Sequence, residues 1–172
     1  MKLIIQIPCY NEAETLEIAL NDLPKHIDGI DEIEYLIING AECEPYITSD
    51  SVTMTTRADD MEIALNAFQK HLGIGRIIIG IEQNKKSAIT SMRKLSMRIK
   101  GMEVKVLPSV YPQGGEKVLV YHTVKRVIPA GKLPIDVGCI VCNCTTVAAI
   151  GTYLRSGMPL VEKCVTVDGA CV

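Results

Sequence analysis

Apolar runs of strand length alternate with segments of helical period along most of this chain, and that alternation restricts the fold more than any other feature. LIIQI (3 to 7), YLIIN (35 to 39) and RIIIGIE (76 to 82) read as strands, followed by EVKVLP (103 to 108), GCIVC (138 to 142) and PLVEKCVTV (159 to 167). RIIIGIE is apolar on both faces and so belongs in the sheet interior, whereas EVKVLP alternates and suits an edge. Between the strands, apolar residues recur at three- and four-residue spacing over Asn11 to Leu23, Val52 to Leu72, Lys85 to Ile99, about 115 to 127, and Thr145 to Arg155. Gly73 is placed to end the second of these helices. The pattern predicts an α/β domain, Rossmann-like, with three layers α/β/α and a mostly parallel sheet. No repeat, low-complexity tract or long linker divides the 172 residues, so a single domain over 1–172 is expected.

Charge and aromatic content exclude several partners. A formal net charge of -2 without a Lys/Arg-rich run gives no electrostatic footprint for nucleic acid, and 4% aromatics with no Trp leave few platforms for base stacking. The longest apolar stretch, Val137 to Ile150, is interrupted by Asn143 and two threonines and falls short of a membrane span, so no direct membrane insertion is expected. MKLIIQIPCYNE lacks the features of a secretory signal, and seven cysteines, an odd number, suit free thiols in a reducing compartment. The expected location is cytoplasmic.

Residues 2 to 23, with Pro8, Tyr10, Asn11 and Glu12, resemble the start of the inverting GT-A type glycosyltransferases that use nucleotide-sugars. The resemblance implies a nucleotide site beside that loop. It also requires a later Asp-x-Asp pair for a divalent metal, and no such pair occurs in the chain. Asp59 and Asp60 are adjacent on a predicted helix and would point in different directions. A strand-turn-helix kept only as scaffold explains the same residues.

From Asn39 onward the chain resembles a different family, the NADH- and FMN-binding domain of the C subunit of the Rnf electron-transport complex, related to the flavoprotein subunit of respiratory complex I. The resemblance is carried by INGAECEPYITSD (38 to 50), IGIEQNKKSAI (79 to 89), the segment from VLPSVYPQGGEKVLVYH (106 to 122) to Gly138, and VCNCTTVAAIGTYLRSGMPLVEKCVTVDG (141 to 169). It implies a module that passes electrons from NADH through FMN, working beside other subunits of a membrane-associated complex and peripheral to the cytoplasmic side of that membrane. It places Asn39 and Glu42 near the isoalloxazine and ribityl chain, Glu44 beside the nicotinamide, and Cys43 in the same loop as a candidate reactive thiol. Gly114, Gly115 and Glu116 would form a turn that approaches the cofactor closely, and Asn143 and Thr146 would donate to flavin oxygens or phosphate near a helix start. Each has a plainer reading: Glu42 and Glu44 as solvated charge, the two glycines as a simple turn, Asn143 as a helix cap.

Two parts of the family pattern are missing from the sequence. The family's glycine-rich phosphate loop would precede Asn39, but QIPCYNEAETL stands there, and the Cys motifs for two iron-sulfur clusters are not found. Cys139, Cys142 and Cys144 form C-x-x-C-x-C, but the first two sit in a predicted buried strand and read better as small apolar residues than as ligands, so no metal site is assigned. His26, His71 and His122 receive no role. Because the two resemblances meet at Asn39, the expectation is a chimeric or truncated chain, with residues 1–39 of one kind and 40–172 of the other. The function expected is an incomplete NADH and FMN electron-transfer module whose catalytic competence alone is in doubt. The alternatives are a glycosyltransferase fragment and a non-catalytic α/β subunit.

Overall fold

The computed structural model describes residues 33–170. The predicted strand at 3 to 7, the helix at 11 to 23 and the loop with Pro8, Tyr10, Asn11 and Glu12 lie outside the described residues. The observed elements are β1 (Tyr35–Gly40), α1 (Ser49–Thr56), α2 (Ala58–Leu72), β2 (Arg76–Glu82), α3 (Lys86–Ser96) and β3 (Met102–Leu107), then α4 (Glu116–Val124), a short 3-10 turn (Pro134–Val137), β4 (Cys139–Asn143) and α5 (Cys144–Ser156). All four strands are parallel, in the order β3-β2-β1-β4. This is the expected α/β class.

Side-chain alternation sorts the strands onto two cores. Leu36 and Ile38 of β1 join Ile77, Ile79 and Ile81 of β2 beneath α1, α2, α3 and α5, whereas Ile37 turns to the other face and packs with Leu107 against Leu119 and Val120 of α4. The domain therefore has three layers. RIIIGIE is an interior strand with every residue after Arg76 buried, and β3 is an edge, as their patterns predict.

The predicted helix from Val52 to Leu72 is two helices meeting at Arg57, whose φ of -120° and ψ of 29° interrupt the helical path. Threonines drive the break. Thr53, Thr55 and Thr56 each donate a hydroxyl to a backbone carbonyl three or four residues back, a pattern that bends a helix. Arg57 then reaches across to Thr152 and to the Ala148 carbonyl of α5. The α2–α5 crossing is tight, because a Cβ on Gly151 would lie 1.7 Å from the Asp60 carbonyl oxygen. Asp59 and Asp60 do point apart: Asp59 is exposed against Arg98, and Asp60 binds Arg57, Thr152 and Arg155.

The predicted strand at 159 to 167 is not formed. These residues are irregular chain, largely exposed, with no strand beside them among the described residues. An apolar alternation becomes a strand only where a neighbour offers a ladder. Here the segment is held to the domain through Thr166, whose Oγ1 accepts the Thr48 N–H at 3.0 Å.

Candidate functional site

The strand order fixes where a ligand would enter. From β1 the chain moves outward to β2 and β3, then returns to place β4 on the opposite side of β1, so the connections leaving β1 and β4 diverge. Such a switch point opens a crevice beyond the carboxyl ends of the strands, the usual ligand site of open parallel sheets. Asn39 and Asn143 are register partners at those two ends.

Asn39 ties two loops together. Its Nδ2 donates to the Gly114 carbonyl at 2.9 Å, and its Oδ1 accepts from the Ala41 N–H at 3.1 Å. The loop after β1 and the glycine turn before α4, 75 residues apart in sequence, are thereby held at one end of the sheet. The Gly114 requirement is internal: a Cβ there would stand 2.5 Å from the Ala41 carbonyl oxygen. The resemblance made that glycine an approach to the cofactor, but the group that crowds it belongs to the protein. Gly115 precedes α4 as its N-cap, and Glu116 is exposed in the first turn, where a carboxylate suits the helix dipole.

Glu42 is buried, and its carboxylate is occupied. It accepts the Asp50 N–H at 2.6 Å and the Ser51 N–H at 3.0 Å, so it caps the start of α1, and the Lys85 ammonium lies 3.1 Å from its Oε2. Lys85 also donates to the Ile47 carbonyl at 2.5 Å. Glu42 thus holds the loop 42–50 in shape rather than presenting free oxygens. Glu44 and Cys43, by contrast, face the opening, Glu44 exposed and Cys43 half-buried.

Asp50 is the centre of a second cluster. Its carboxylate receives Asn143 Nδ2 at 2.8 Å and Thr145 Oγ1 at 3.0 Å, while Asn143 Oδ1 caps α5 by accepting the Thr145 N–H. Asn143 is therefore both a cap and a wall of the crevice. Thr146 is exposed one position further on, and Thr145 makes the contacts to Asp50. Sequence reasoning missed Asp50, Lys85 and Thr145. The legible signal was the polar TSD at 48 to 50, a typical helix opening, for Asp50 alone.

Asn39, Cys43, Glu44, Gly114, Gly115 and Asn143 line one cavity of about 310 Å³ with Glu42, Asp50 and Tyr111. A second cavity, about 360 Å³, adjoins it between the loop after β1, the turn after β2 and the segment from Ser109 to Tyr111. A larger hollow, about 500 Å³, lies between α1, α2, α5 and the exposed segment 158–164. Cys139 and Cys144 are buried and Cys142 half-buried; burial pushes all three thiols up, Cys142 to about 11. They pack within the two cores, and the Cys139 and Cys144 thiols donate to the Val137 and Asp50 carbonyls.

A family model described as the Nuo51 FMN-binding domain matches residues 17–152. The chain belongs to that family. Among the relatives of this Nuo51-type domain is the C subunit of the proton-translocating ferredoxin:NAD(+) oxidoreductase complex of Clostridium ljungdahlii, 38% identical over 143 residues, covering 82% of this chain and 31% of the relative. The C subunit of the Na(+)-translocating ferredoxin:NAD(+) oxidoreductase complex of Acetobacterium woodii is 36% identical over 141 residues, covering 82% and 32%. The C subunit of the ion-translocating oxidoreductase complex of Vibrio cholerae is 38% identical over 143 residues, covering 83% and 18%. The chain spans a fifth to a third of the length of these curated relatives. An NAD+-reducing NiFe hydrogenase in its H2-reduced state superposes with a TM-score of 0.63 at 18% identity, covering 73% of this chain and 25% of that one. That likeness is one of fold.

The Nuo51 match reaches back to residue 17, well before Asn39, so the expected change of family at Asn39, and with it the chimera, finds no support. Residues 3 to 7, whose pairing beside β1 a fused domain requires, lie outside the described residues. Among the described residues no helix is long and apolar enough to cross a membrane.

Proposed function

We propose that this domain is the flavin-binding part of an electron-transfer subunit, taking electrons from NADH through FMN as the resemblance to the Rnf C subunit implies. The observation that carries the reading is the Asn39–Gly114 hydrogen bond, which brings the two loops of the proposed flavin site to the β1/β4 switch point. The donor set suits FMN. Glu42 and Asp50 being internally bonded, what remains to the cavity is the second N–H of the Asn143 amide, the Gly114 N–H and the exposed Glu44 carboxylate. These are neutral or acceptor groups that fit the ring edge and ribityl hydroxyls. FMN would supply the hydride-accepting ring, and these residues would orient it.

The site residues proposed are Asn39, Cys43, Glu44, Gly115 and Asn143, which line the cavity, together with Glu116 and Thr146, which do not line it and are kept from the resemblance. Glu42 and Gly114 act behind them by fixing the loops. One domain over the whole chain is the organisation proposed. The relatives named above are subunits of ion-translocating complexes, so partner subunits and a peripheral place on such a complex are proposed here too. NADH is the finer part of the reading, supported by the acidic loop beside the cavity and by two relatives being subunits of ferredoxin:NAD(+) oxidoreductase complexes.

The test is a thermal-shift titration of the chain with FMN, read beside flavin fluorescence. A ligand that binds only the native state must raise stability by mass action, about 2.7 kcal/mol at a hundredfold excess over Kd. A concentration-dependent rise with FMN and quenched flavin emission are expected. No shift at millimolar FMN removes the proposal.

A further inference from the structure

The net charge of -2 conceals an uneven placement of charge. Residues 83–102 hold six Lys/Arg and no Asp or Glu, whereas the rest of the chain holds twelve Lys/Arg against all twenty Asp/Glu. Helix α3 gathers much of that positive charge onto one flank. Its Ala88, Ile89, Met92 and Leu95 are buried in the core, which leaves Lys86, Thr90, Arg93 and Lys94 exposed on the outside, and Lys100 follows, exposed, in the turn before β3.

Two of the six cations are neutralised. Lys85 pairs with Glu42, and Arg98 pairs with Asp59 and Glu62 at the α2 border. Lys86, Arg93, Lys94 and Lys100 meet no carboxylate within ion-pair distance among the described residues. Lys86 also stands in the first turn of α3, where no acid offsets the positive end of the helix dipole, so the dipole and the side chains add. Between Lys86 and Lys94 lies a shallow hollow of about 480 Å³ whose other lining residues, Thr55, Ser87, Thr90 and Ser91, all carry hydroxyls.

The flank suits a protein better than other anions. Met97, 80% exposed, follows Arg93 and Lys94 by one turn, and Met and Arg are both enriched where proteins meet. Lys86 and Lys94 are two turns apart, about 12 Å at the α-helical rise, a span that a compact partner covers. An anionic bilayer would also have to meet the exposed Asp59 at the border, and residues 83–102 offer no aromatic ring for a nucleic-acid base to stack on.

We propose that the outer flank of α3, from Lys86 to Lys100, is a docking surface for the acidic face of a protein partner, with Lys86, Arg93, Lys94 and Lys100 pairing with its carboxylates and Met97 as the apolar contact among them. The inference gives a face and a chemistry to the partner subunits proposed above, and in that respect rests on that reading.

Fluorescence anisotropy of a labelled peptide of Glu and Ala, titrated with the full chain at low salt, measures the docking. Vesicles of phosphatidylglycerol and phosphatidylcholine, and a DNA duplex, are the other arms. Peptide binding that weakens as salt rises is expected. Lys86→Glu with Lys94→Glu should weaken it about tenfold, because each reversal turns an attraction into a repulsion. Lys117→Glu with Lys163→Glu changes the net charge equally at exposed positions outside the flank and should leave binding unchanged. No peptide binding, an equal loss in both double variants, or tighter binding of the vesicles or the duplex overturns the inference. Glutamate in the first turn suits the helix dipole, so the reversed pair should melt no lower than the parent chain. Should it fail to fold, Lys86→Gln with Lys94→Gln takes its place with a loss of about threefold, and equal affinity then overturns the inference. FMN affinity on the same samples should stay unchanged, and failure of the parent chain to bind FMN overturns the cofactor reading alone.

Discussion

Lys85 Nζ stands 3.1 Å from Glu42 Oε2, joining the turn after β2 to the loop after β1 across the strand ends. Both side chains are nearly excluded from water, and the same carboxylate caps α1. One residue thus shapes the loop that carries Cys43 and Glu44. Glu42→Ala leaves the ammonium and two N–H groups without their acceptor, and a loss of about 3 to 5 kcal/mol is expected from breaking such a buried pair. Urea denaturation of the two proteins, at equal slope, measures it.

Asn39→Ala removes both the bond to Gly114 and the turn bond to Ala41. The cost in stability should be about 1 to 3 kcal/mol, because the Gly114 carbonyl and the Ala41 N–H lose their partner. FMN affinity should fall more than tenfold, since the two loops are no longer held together. Flavin fluorescence titration reads this, and an unchanged Kd would separate Asn39 from the cofactor site.

Burial pushes the Glu82 carboxyl up, against the attraction of Lys85 and with the repulsion of Glu42. A carboxyl whose folded pKa is raised contributes stability below its unfolded pKa and loses it as pH rises through the folded value. Glu82→Gln should therefore melt at a higher temperature than the parent at pH 8 and gain nothing at pH 4. Melting curves of both proteins across that range check the sign.

Asp60 behaves oppositely. Burial acts to raise its pKa, but hydrogen bonds from Thr152 and Arg155, the charge of Arg155 and the bond from Arg57 together hold it below the usual carboxylate value. Its contribution is present above the unfolded pKa and is lost as pH falls through the folded one. Asp60→Asn should flatten the acid limb of the stability profile below about pH 4, while lowering stability at pH 7. Urea denaturation of both proteins from neutral pH into the acid range checks this.

Gly151→Ala places a methyl where the Asp60 carbonyl already stands, 1.7 Å from the added carbon. The α2 and α5 backbones must separate, at a cost of about 1 to 3 kcal/mol or more for overpacking. The cost should exceed that of Gly131→Ala, where nothing lies within 4 Å of the added carbon and only the left-handed backbone, φ 73°, opposes it. Calorimetric melting of the two variants decides between them.

The sheet was legible because its residues alternate on a fixed period. Ile37 and Ile38 face opposite cores simply as strand neighbours, and the all-apolar RIIIGIE announced an interior position. The break at Arg57 was not legible, because the apolar period continues through it and only the threonine back-bonds and the α5 partners interrupt the helix. The same limit explains residues 159 to 167, which have the composition of a strand and, among the described residues, no neighbour to pair with.

The candidate site divides the same way. Local sequence determined which loop is polar, where the glycines turn and that Asn143 caps a helix, since each depends on residues within a few positions. Tertiary structure alone decided that Glu42 commits its carboxylate to α1 and Lys85, that Asp50 gathers Asn143 and Thr145, and that Glu82 is left with an open oxygen among the described residues. The reason is physical: a carboxylate's role depends on which donors reach it in space, and the donors here come from loops that only the strand order brings to one end of the sheet.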